Sequence, residues 1–317
     1  MDGSKIDGID PAKFKNPDIT AKGEARASVA FTNPTTLWFN TGTLCNIECV
    51  NCYIESSPKN DALVYIRTPE LVDYLDQIED RKWPISEIAF TGGEPFMNPD
   101  MIDMAQQSLA RGYEVLILTN AMRPMMRKSV QQGLLALQKT YADKLTLRIS
   151  LDHHSAKNHD AMRGKNSFDV TLQGMDWLQE NGFRMAVAAR TLWNETEAQN
   201  RDGFAALFKE RGYDIDAYNP GVTVLFPEMD ESVDVPEITT ECWGILNKNP
   251  DDVMCASSRM VVKRKGAEKP TVIACTLLPY DAAFEMGETL EAAERSVKLN
   301  HPHCAKFCVL GGASCSA

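Results

Sequence analysis

Short apolar runs alternate with segments of helical periodicity between residues 37 and 226. The runs predict six strands, at 37–40, 88–90, 115–119, 145–151, 185–191 and 222–226. The intervening segments predict helices that begin near residues 68, 98, 125, 168 and 199. Strands that alternate with helices favour a parallel sheet with right-handed crossovers. The pattern therefore predicts the α/β class and a partial (β/α)6 TIM-like barrel.

The first helix illustrates the pattern. Its apolar positions follow the 3.6-residue period, at Leu71, Tyr74, Leu75 and Ile78. Thr68 is the expected N-cap residue and Pro69 the first helical position, because proline there lacks only an N–H that the helix cannot pair. Asn98 and Pro99 are expected to begin the second helix in the same way.

The remaining chain divides into two flanking regions. A polar N-terminal extension is predicted at 1–34, the barrel core at 35–235 and a small C-terminal domain at 236–317. Within that last region, apolar stretches on either side of a polar, glycine-containing turn predict a β-hairpin between Cys255 and Cys275. A helical segment is expected near 289–297.

Composition narrows the class of protein. A chain of 317 residues with 44% hydrophobic content can bury one large core and a smaller one. The N-terminus lacks the basic and apolar regions of a signal peptide, and no apolar run approaches bilayer length, so we expect a cytoplasmic protein without a membrane partner. The net charge of −11 disfavours nucleic-acid binding. Nine cysteines in such a chain favour metal ligation over disulfides.

Cys45, Cys49 and Cys52 form a C-x3-C-x2-C run on one short loop. Three thiolates suit three corners of a [4Fe–4S] cube, and the fourth iron then stays open to a small molecule. The alternatives are a structural zinc site and a disulfide pair. Zinc usually takes four protein ligands in a closed site, and the nearest histidines are distant at His153 and His154. The spacing favours the cluster.

A second motif, Gly92-Gly93-Glu94-Pro95, follows the second predicted strand. Glycines allow the backbone to approach a ligand closely. Glu94 is placed where a barrel presents its ligand groups, and its carboxylate suits an ammonium group. Alone, the motif could also be a turn, and turns are commoner than ligand sites.

Together the two motifs resemble the radical S-adenosylmethionine (SAM) superfamily. The resemblance implies that Cys45, Cys49 and Cys52 hold the cluster and that the methionine amine and carboxylate of SAM chelate the open iron. It further implies that Gly92-Gly93-Glu94 binds the methionine amine. Tyr53, the aromatic residue after the third cysteine, is implied to lie near the adenine.

Residues at the ends of later strands complete the predicted pocket, since barrel strand C-termini face the active site. They are Asn120, Ser150, Asp152 and Arg190. Ser150 or Asp152 is expected to bind the SAM ribose, and Arg163 resembles the arginine that many relatives use on the SAM carboxylate. Helix capping and surface ion pairing are the alternative roles. His153, His154 and His159 are predicted to be loop or surface residues.

Six cysteines remain in the C-terminal region. Cys255, Cys275, Cys304 and Cys308 resemble the auxiliary-cluster domain called twitch, a reduced SPASM domain, and imply a second [4Fe–4S] cluster. Because the last pair is C-x3-C rather than C-x2-C, Cys308 or Cys315 is the fourth ligand, and Cys242 is a further candidate. Zinc and unligated buried thiols are the alternatives. The terminal stretch also has a local likeness to arsenosugar-biosynthesis radical SAM proteins.

The resemblance implies a radical enzyme. An electron from a flavodoxin- or ferredoxin-type donor enters the first cluster, SAM is cleaved, and the 5′-deoxyadenosyl radical abstracts hydrogen from a substrate. Fewer than fifty residues precede Cys45, which we expect to be too few for a peptide-recognition domain and a strand, so a small-molecule substrate is predicted. Peptide modification, deoxyadenosyl transfer to a soft element, a non-catalytic electron carrier or sensor, and an inactive relative are the alternatives.

Overall fold

The computed structural model describes residues 10–227 and 233–311. The strands are β1 Ser28–Val29, β2 Thr36–Asn40, β3 Glu87–Thr91, β4 Glu114–Thr119, β5 Leu145–Ser150, β6 Arg184–Arg190, β7 Thr223–Phe226, β8 Ser258–Val262, β9 Thr271–Ile273, β10 Glu285–Gly287 and β11 Val297–Lys298. The α-helices are α1 Thr68–Arg81, α2 Met101–Ala110, α3 Lys128–Tyr141, α4 Ala156–Arg163, α5 Ser167–Glu180, α6 Glu197–Arg211 and α7 Cys242–Leu246. A π-helix covers Cys304–Leu310.

The central sheet confirms the predicted fold class. Its strand order is β10-β9-β8-β2-β3-β4-β5-β6-β7, and β2 to β7 pair in parallel as the alternating pattern predicts. All five residues of β2 and most residues of the strands beside it are buried, as expected for a parallel sheet covered on both faces. The strand C-termini therefore meet at one edge of the barrel.

The C-terminal hairpin forms where it is predicted, but it also extends the barrel sheet. β8 pairs in parallel with β2, and β9 and β10 follow in antiparallel pairing. The barrel and the C-terminal region therefore share one continuous sheet. The boundary between the barrel core and the C-terminal domain at residues 235/236 remains a prediction.

Two helix starts differ from expectation. The N-cap of α1 is Arg67, one residue before the predicted Thr68, and Glu70 completes the capping interaction. Asn98 does not begin the second helix, which starts at Met101. The side-chain amide of Asn98 instead donates to the backbone carbonyl oxygens of Thr41 and Ile66. It therefore links the segments that contain these two residues.

The helix expected near 289–297 does not form. The structure has a single 3-10 turn at Ala292–Glu294, followed by β11, which pairs with β1. The partner strand comes from the N-terminal segment, and this pairing overrides a local helical composition. No helix within the described ranges has the length and apolarity required to cross a membrane.

Candidate active site and auxiliary cysteine site

A cavity of about 620 Å³ lies at the edge where the barrel strands end. It is lined by ten of the residues selected from sequence, namely Cys45, Cys49, Cys52, Tyr53, Gly92, Gly93, Asn120, Ser150, Arg163 and Arg190. The other two, Glu94 and Asp152, are buried behind this lining. The topology thus brings together residues that are separated by up to 145 positions in the chain, because parallel strands deliver their C-termini to one face.

The two glycines of the Gly-Gly-Glu segment allow a close approach between backbones. A Cβ on Gly93 would lie 2.3 Å from the carbonyl oxygen of Leu44, and one on Gly92 would lie 2.6 Å from that of Gly42. The amides of Gly93 and Glu94 donate to these same two carbonyls. The expected close approach is therefore made to the segment that leads into the cysteine loop, and it fixes the loop relative to β3.

Glu94 is held rigidly, with 2% of its surface exposed. Its carboxylate accepts hydrogen bonds from the Thr119 hydroxyl at 2.8 Å and from the amides of Asn120 and Phe96 at 2.9 and 3.2 Å. Burial raises the pKa of Glu94 to about 7, although these hydrogen bonds oppose the shift. The site therefore holds a carboxyl group whose ionised form would be favoured by an ammonium ligand. Sequence reasoning missed Thr119, which is the last residue of β4.

Asp152 and Arg163 form a buried, two-pronged ion pair. Nε and Nη2 of Arg163 each lie 2.9 Å from one carboxylate oxygen of Asp152. Both Asp152 oxygens are therefore engaged by protein, and Ser150 is the member of the predicted ribose-binding pair that lines the cavity. Although burial opposes ionisation, the guanidinium of Arg163 keeps the pKa of Asp152 below its usual range.

Arg190 holds the backbone of the cysteine loop. Its Nη2 donates to the carbonyl of Asn51 at 3.0 Å, and its Nη1 donates to that of Val50 at 3.4 Å. Its Nε lies 3.8 Å from Asp152. The strand ends of β5 and β6 thereby restrain the loop between Cys49 and Cys52.

The N-terminal thiols lie in an environment that disfavours free thiolates. Burial raises the pKa of Cys45 to about 12, and burial is also the main cause of the raised pKa of Cys49. A thiol must lose its proton to bind a metal. Because these thiols are buried, water does not stabilise the resulting thiolates, and the metal must do so instead. Among the described residues, no three cysteine sulfurs all lie within 4.8 Å of one another.

Four C-terminal cysteines line a second cavity of about 380 Å³, whose other walls are mainly apolar. They are Cys255, Cys275, Cys304 and Cys308. Cys242 does not line this cavity; its sulfur accepts a hydrogen bond from the backbone amide of Thr239 and lies 3.4 Å from the Thr239 hydroxyl. Cys315 lies outside the described residues. Burial raises the pKa of Cys255 to about 11 and that of Cys304 to about 12.

Comparison with known proteins agrees with this geometry. Residues 39–199, half of the chain, match the family model of the Radical SAM superfamily.

The chain belongs to the radical SAM superfamily.

Two curated relatives show how far the likeness extends. AlbA, the antilisterial bacteriocin subtilosin biosynthesis protein of Bacillus subtilis, is 30% identical over 219 residues, which cover 67% of this chain and 45% of AlbA. The mycofactocin maturase MftC of Mycolicibacterium smegmatis is 30% identical over 168 residues, or 53% of this chain and 40% of MftC. The chain thus spans less than half the length of these radical SAM relatives. The local likeness to arsenosugar-biosynthesis proteins is not supported by these comparisons.

Solved structures share the fold. Streptococcus suis SuiB bound to SAM superposes with a TM-score of 0.58 at 13% identity, covering 83% of this chain and 64% of SuiB. The enzyme anSMEcpe with bound SAM and the Cp18Cys peptide gives a TM-score of 0.56 at 13% identity, covering 82% of this chain and 80% of that chain. The radical SAM family binds SAM and a [4Fe–4S] cluster, and the three-cysteine cavity described above fits that requirement.

We call a cleft of about 420 Å³ in this radical SAM enzyme the connecting cleft, because its lining includes residues of both cysteine sites. It shares Tyr53 and Arg190 with the first cavity and Leu277 with the second. Phe226 and Phe307 stack at 5.4 Å in its wall. The cleft is therefore mainly apolar and lies beside the first cavity.

A histidine group above β5 was missed by sequence reasoning. His153, His154 and Glu195 lie together, and the Nε2 atom of His153 is 3.0 Å from the Glu195 carboxylate. The amide of Ser155 donates to Nδ1 of His153, and Nε2 lies within hydrogen-bonding distance of both Glu195 and the Asn158 side chain. Two adjacent histidines just after a predicted strand were the available signal.

The expectation that these histidines lie in loops or at the surface is wrong for His159, which is fully buried on α4. His153 lies in a loop but is only 1% exposed. Burial lowers the pKa of His159 to about 4. A side chain that packs against Phe168 at 5.6 Å is neutral and belongs to the core.

Proposed function

We propose that this enzyme cleaves SAM reductively at a [4Fe–4S] cluster held by Cys45, Cys49 and Cys52, and that the radical abstracts hydrogen from a substrate in the connecting cleft. The observation that carries the proposal is the single cavity that collects all three cysteines with the Gly92-Gly93 segment. When bound, the cluster supplies one electron to SAM, whose C5′–S bond breaks to give methionine and the 5′-deoxyadenosyl radical.

The protein's residues position the reactants. Glu94 supplies the negative charge for the methionine amine, and Ser150 is the proposed ribose contact. Arg163 faces the cavity while it stays anchored to Asp152, and a guanidinium there suits the SAM carboxylate. Tyr53 closes the cavity on the side of the cleft and is the proposed adenine contact. Orientation and exclusion of water are the protein's share of the catalysis.

The C-terminal cysteines are proposed to hold an auxiliary [4Fe–4S] cluster. The support is their shared cavity and its mainly apolar wall. An electron acceptor on the far side of the cleft would receive the electron that a substrate radical must lose for net oxidation. A flavodoxin- or ferredoxin-type protein is the proposed electron donor for the first cluster.

The substrate is proposed to enter the connecting cleft, whose lining is mainly apolar. A small molecule with an apolar group fits this wall. A second candidate is a peptide that inserts one apolar side chain. It is favoured by structures of the same fold that carry a precursor peptide, SuiA, on SuiB or a peptide on anSMEcpe.

Replacement of Cys49 tests the proposal. We expect Cys49→Ala to abolish 5′-deoxyadenosine formation in an anaerobic assay driven by dithionite, because one corner of the cluster loses its ligand. Cys242→Ala is the matched control, since Cys242 lies on α7 outside both cavities, and it should retain activity. Equal 5′-deoxyadenosine formation by Cys49→Ala and the unsubstituted chain would refute the assignment.

A further inference from the structure

A buried arginine, Arg259, lies against the auxiliary cysteine site. It is 1% exposed and belongs to β8. Its Nη1 donates to the carbonyl of Cys255 at 2.6 Å, and its Nε donates to that of Ala293 at 2.9 Å. The ring of Phe31 covers the guanidinium at 3.9 Å. Backbone carbonyls and an aromatic face therefore enclose the cation and fix its position.

This cation has no carboxylate partner in the described part of the chain, where no Asp or Glu oxygen lies within the 4.0 Å that defines an ion pair. Two other buried arginines differ, since Arg26 pairs with Glu237 and Arg201 pairs with Glu197. A buried charge is unfavourable unless an opposite charge compensates it. Backbone carbonyls satisfy the N–H groups of Arg259 but carry no net charge.

The groups that would carry a charge opposite to that of Arg259 are the cysteines of the auxiliary site once they are deprotonated as ligands, and Nη1 of Arg259 donates to the backbone carbonyl of one of them, Cys255. An arginine side chain remains protonated at neutral pH. A cube with four thiolate ligands is anionic in both common oxidation states. The compensating charge that the protein itself does not provide is therefore the one that a cluster at these cysteines would bring.

We propose that Arg259 is the buried counter-charge of the auxiliary cluster, a positioning residue that favours cluster binding and raises the cluster's reduction potential. The inference rests on the proposed auxiliary cluster. One-electron reduction makes the cluster more negative, so a fixed cation nearby stabilises the reduced form more than the oxidised form. The fork of hydrogen bonds keeps the guanidinium from turning away when the cluster changes charge.

The test uses a chain in which Cys45, Cys49 and Cys52 are all replaced by alanine, so that only the C-terminal site can hold a cluster. Arg259→Gln and Arg259→Lys are compared in this background, with Arg201→Gln on α6 as a control for the loss of a buried arginine. The measurements are iron per chain, the rate of iron loss to a chelator, and the midpoint potential from an EPR-monitored titration in which dithionite supplies the electron.

We expect Arg259→Gln to lose iron about tenfold faster, as is usual for changes just outside a metal's ligands, and to have a more negative potential. Arg259→Lys keeps the positive charge, so its rate of iron loss and its midpoint potential should stay closer to those of the background chain. Phe31→Leu, which uncovers the guanidinium to water, should lower the potential in the same direction by a smaller amount. Arg201→Gln should change neither quantity. Phe31→Leu provides the test if Arg259→Gln does not fold.

Equal potentials in the background chain, Arg259→Gln and Phe31→Leu would overturn the inference. Equal shifts in Arg259→Gln and Arg259→Lys would also overturn it, because packing rather than charge would then be responsible. A background chain that binds no iron would instead remove the auxiliary cluster itself. Failure of the inference and failure of the proposed cluster are thus separate results.

Discussion

Glu94 is the residue whose chemistry depends most on the fold. Its carboxyl pKa is raised to about 7 from 4.5, so folding favours the neutral acid. The stability that this contributes is fully present below about pH 4.5 and is lost as the pH rises through about 7. SAM presents an ammonium group, which binds the ionised form. Ligand binding and folding therefore favour opposite protonation states of one side chain.

The resulting prediction concerns the pH dependence of SAM affinity. The affinity of the iron-loaded protein should rise between about pH 6 and about pH 8, because deprotonation of Glu94 creates the partner of the ammonium group. Glu94→Gln should bind SAM about tenfold or more weakly and without this dependence. Equilibrium dialysis at a series of pH values measures both effects.

Glu87 provides the control, since burial also raises its pKa but it lies at the start of β3, at the opposite end of the barrel. Glu87→Gln should leave the SAM affinity and its pH profile unchanged. An unaltered pH profile in Glu94→Gln would show that another group titrates.

The connection between β3 and the cysteine loop depends on glycine. A Cβ on Gly93 would lie 2.3 Å from the Leu44 carbonyl oxygen. Both segments are backbone, so neither can move aside without a cost in free energy. We expect Gly93→Ala to lower the free energy of unfolding by about 1–3 kcal/mol and to reduce cluster loading. Urea titration and iron analysis measure these two quantities.

Gly244→Ala is the matched substitution, because it lies on α7 and an added Cβ there meets nothing within 4 Å. It should leave stability and iron content nearly unchanged. If Gly93→Ala behaved in the same way, the backbone contact between β3 and the loop would not be what positions the cysteines.

Elements with a local cause were predictable from sequence. The buried positions of α1 are those of the periodic pattern, Leu71, Tyr74, Leu75 and Ile78. The strand ends also follow from the topology, which is why Asn120, Ser150 and Arg190 reach one cavity. Elements whose cause lies far away in sequence were not predictable. β11 exists because β1 pairs with it across more than 260 residues, and no local pattern shows that partner.

The same distinction applies inside the site. The cysteines and the Gly-Gly-Glu segment carry a spacing signal. Which partner Asp152 would take was not visible in the sequence, because Arg163, the last residue of α4, reaches it only in the folded chain. The burial of Arg259 was hidden for a similar reason, since its cover, Phe31, comes from the segment predicted to be an extension.

At the scale of the whole molecule, the N-terminal segment joins the C-terminal region. Arg26 and Glu237 form an ion pair with almost no solvent exposure, and Glu237 also accepts from the amides of Phe14 and Ala21. The carbonyl of Ile238 accepts from the amide of Ala27. Residues before the barrel are therefore part of the structure that encloses the C-terminal cysteines.

Removal of one partner of this pair should be costly. We expect Arg26→Met to lower the free energy of unfolding by about 3–5 kcal/mol, because it leaves a buried carboxylate without its cation. Lys13→Met breaks the exposed pair with Asp234 and should cost less than about 1 kcal/mol. Denaturant titrations of both variants compare the two. A similar small loss in both would mean that the segment contributes little to the fold.

The central claim is that Cys45, Cys49 and Cys52 bind three irons of a cluster and that SAM binds the fourth. Mössbauer spectra of the anaerobic, iron-loaded protein, recorded before and after SAM is added, test it most directly. We expect SAM to change the signal of one iron of that cluster and to leave the signals of the other irons unchanged. Identical spectra with and without SAM, or zinc in place of iron at these three cysteines, would contradict it.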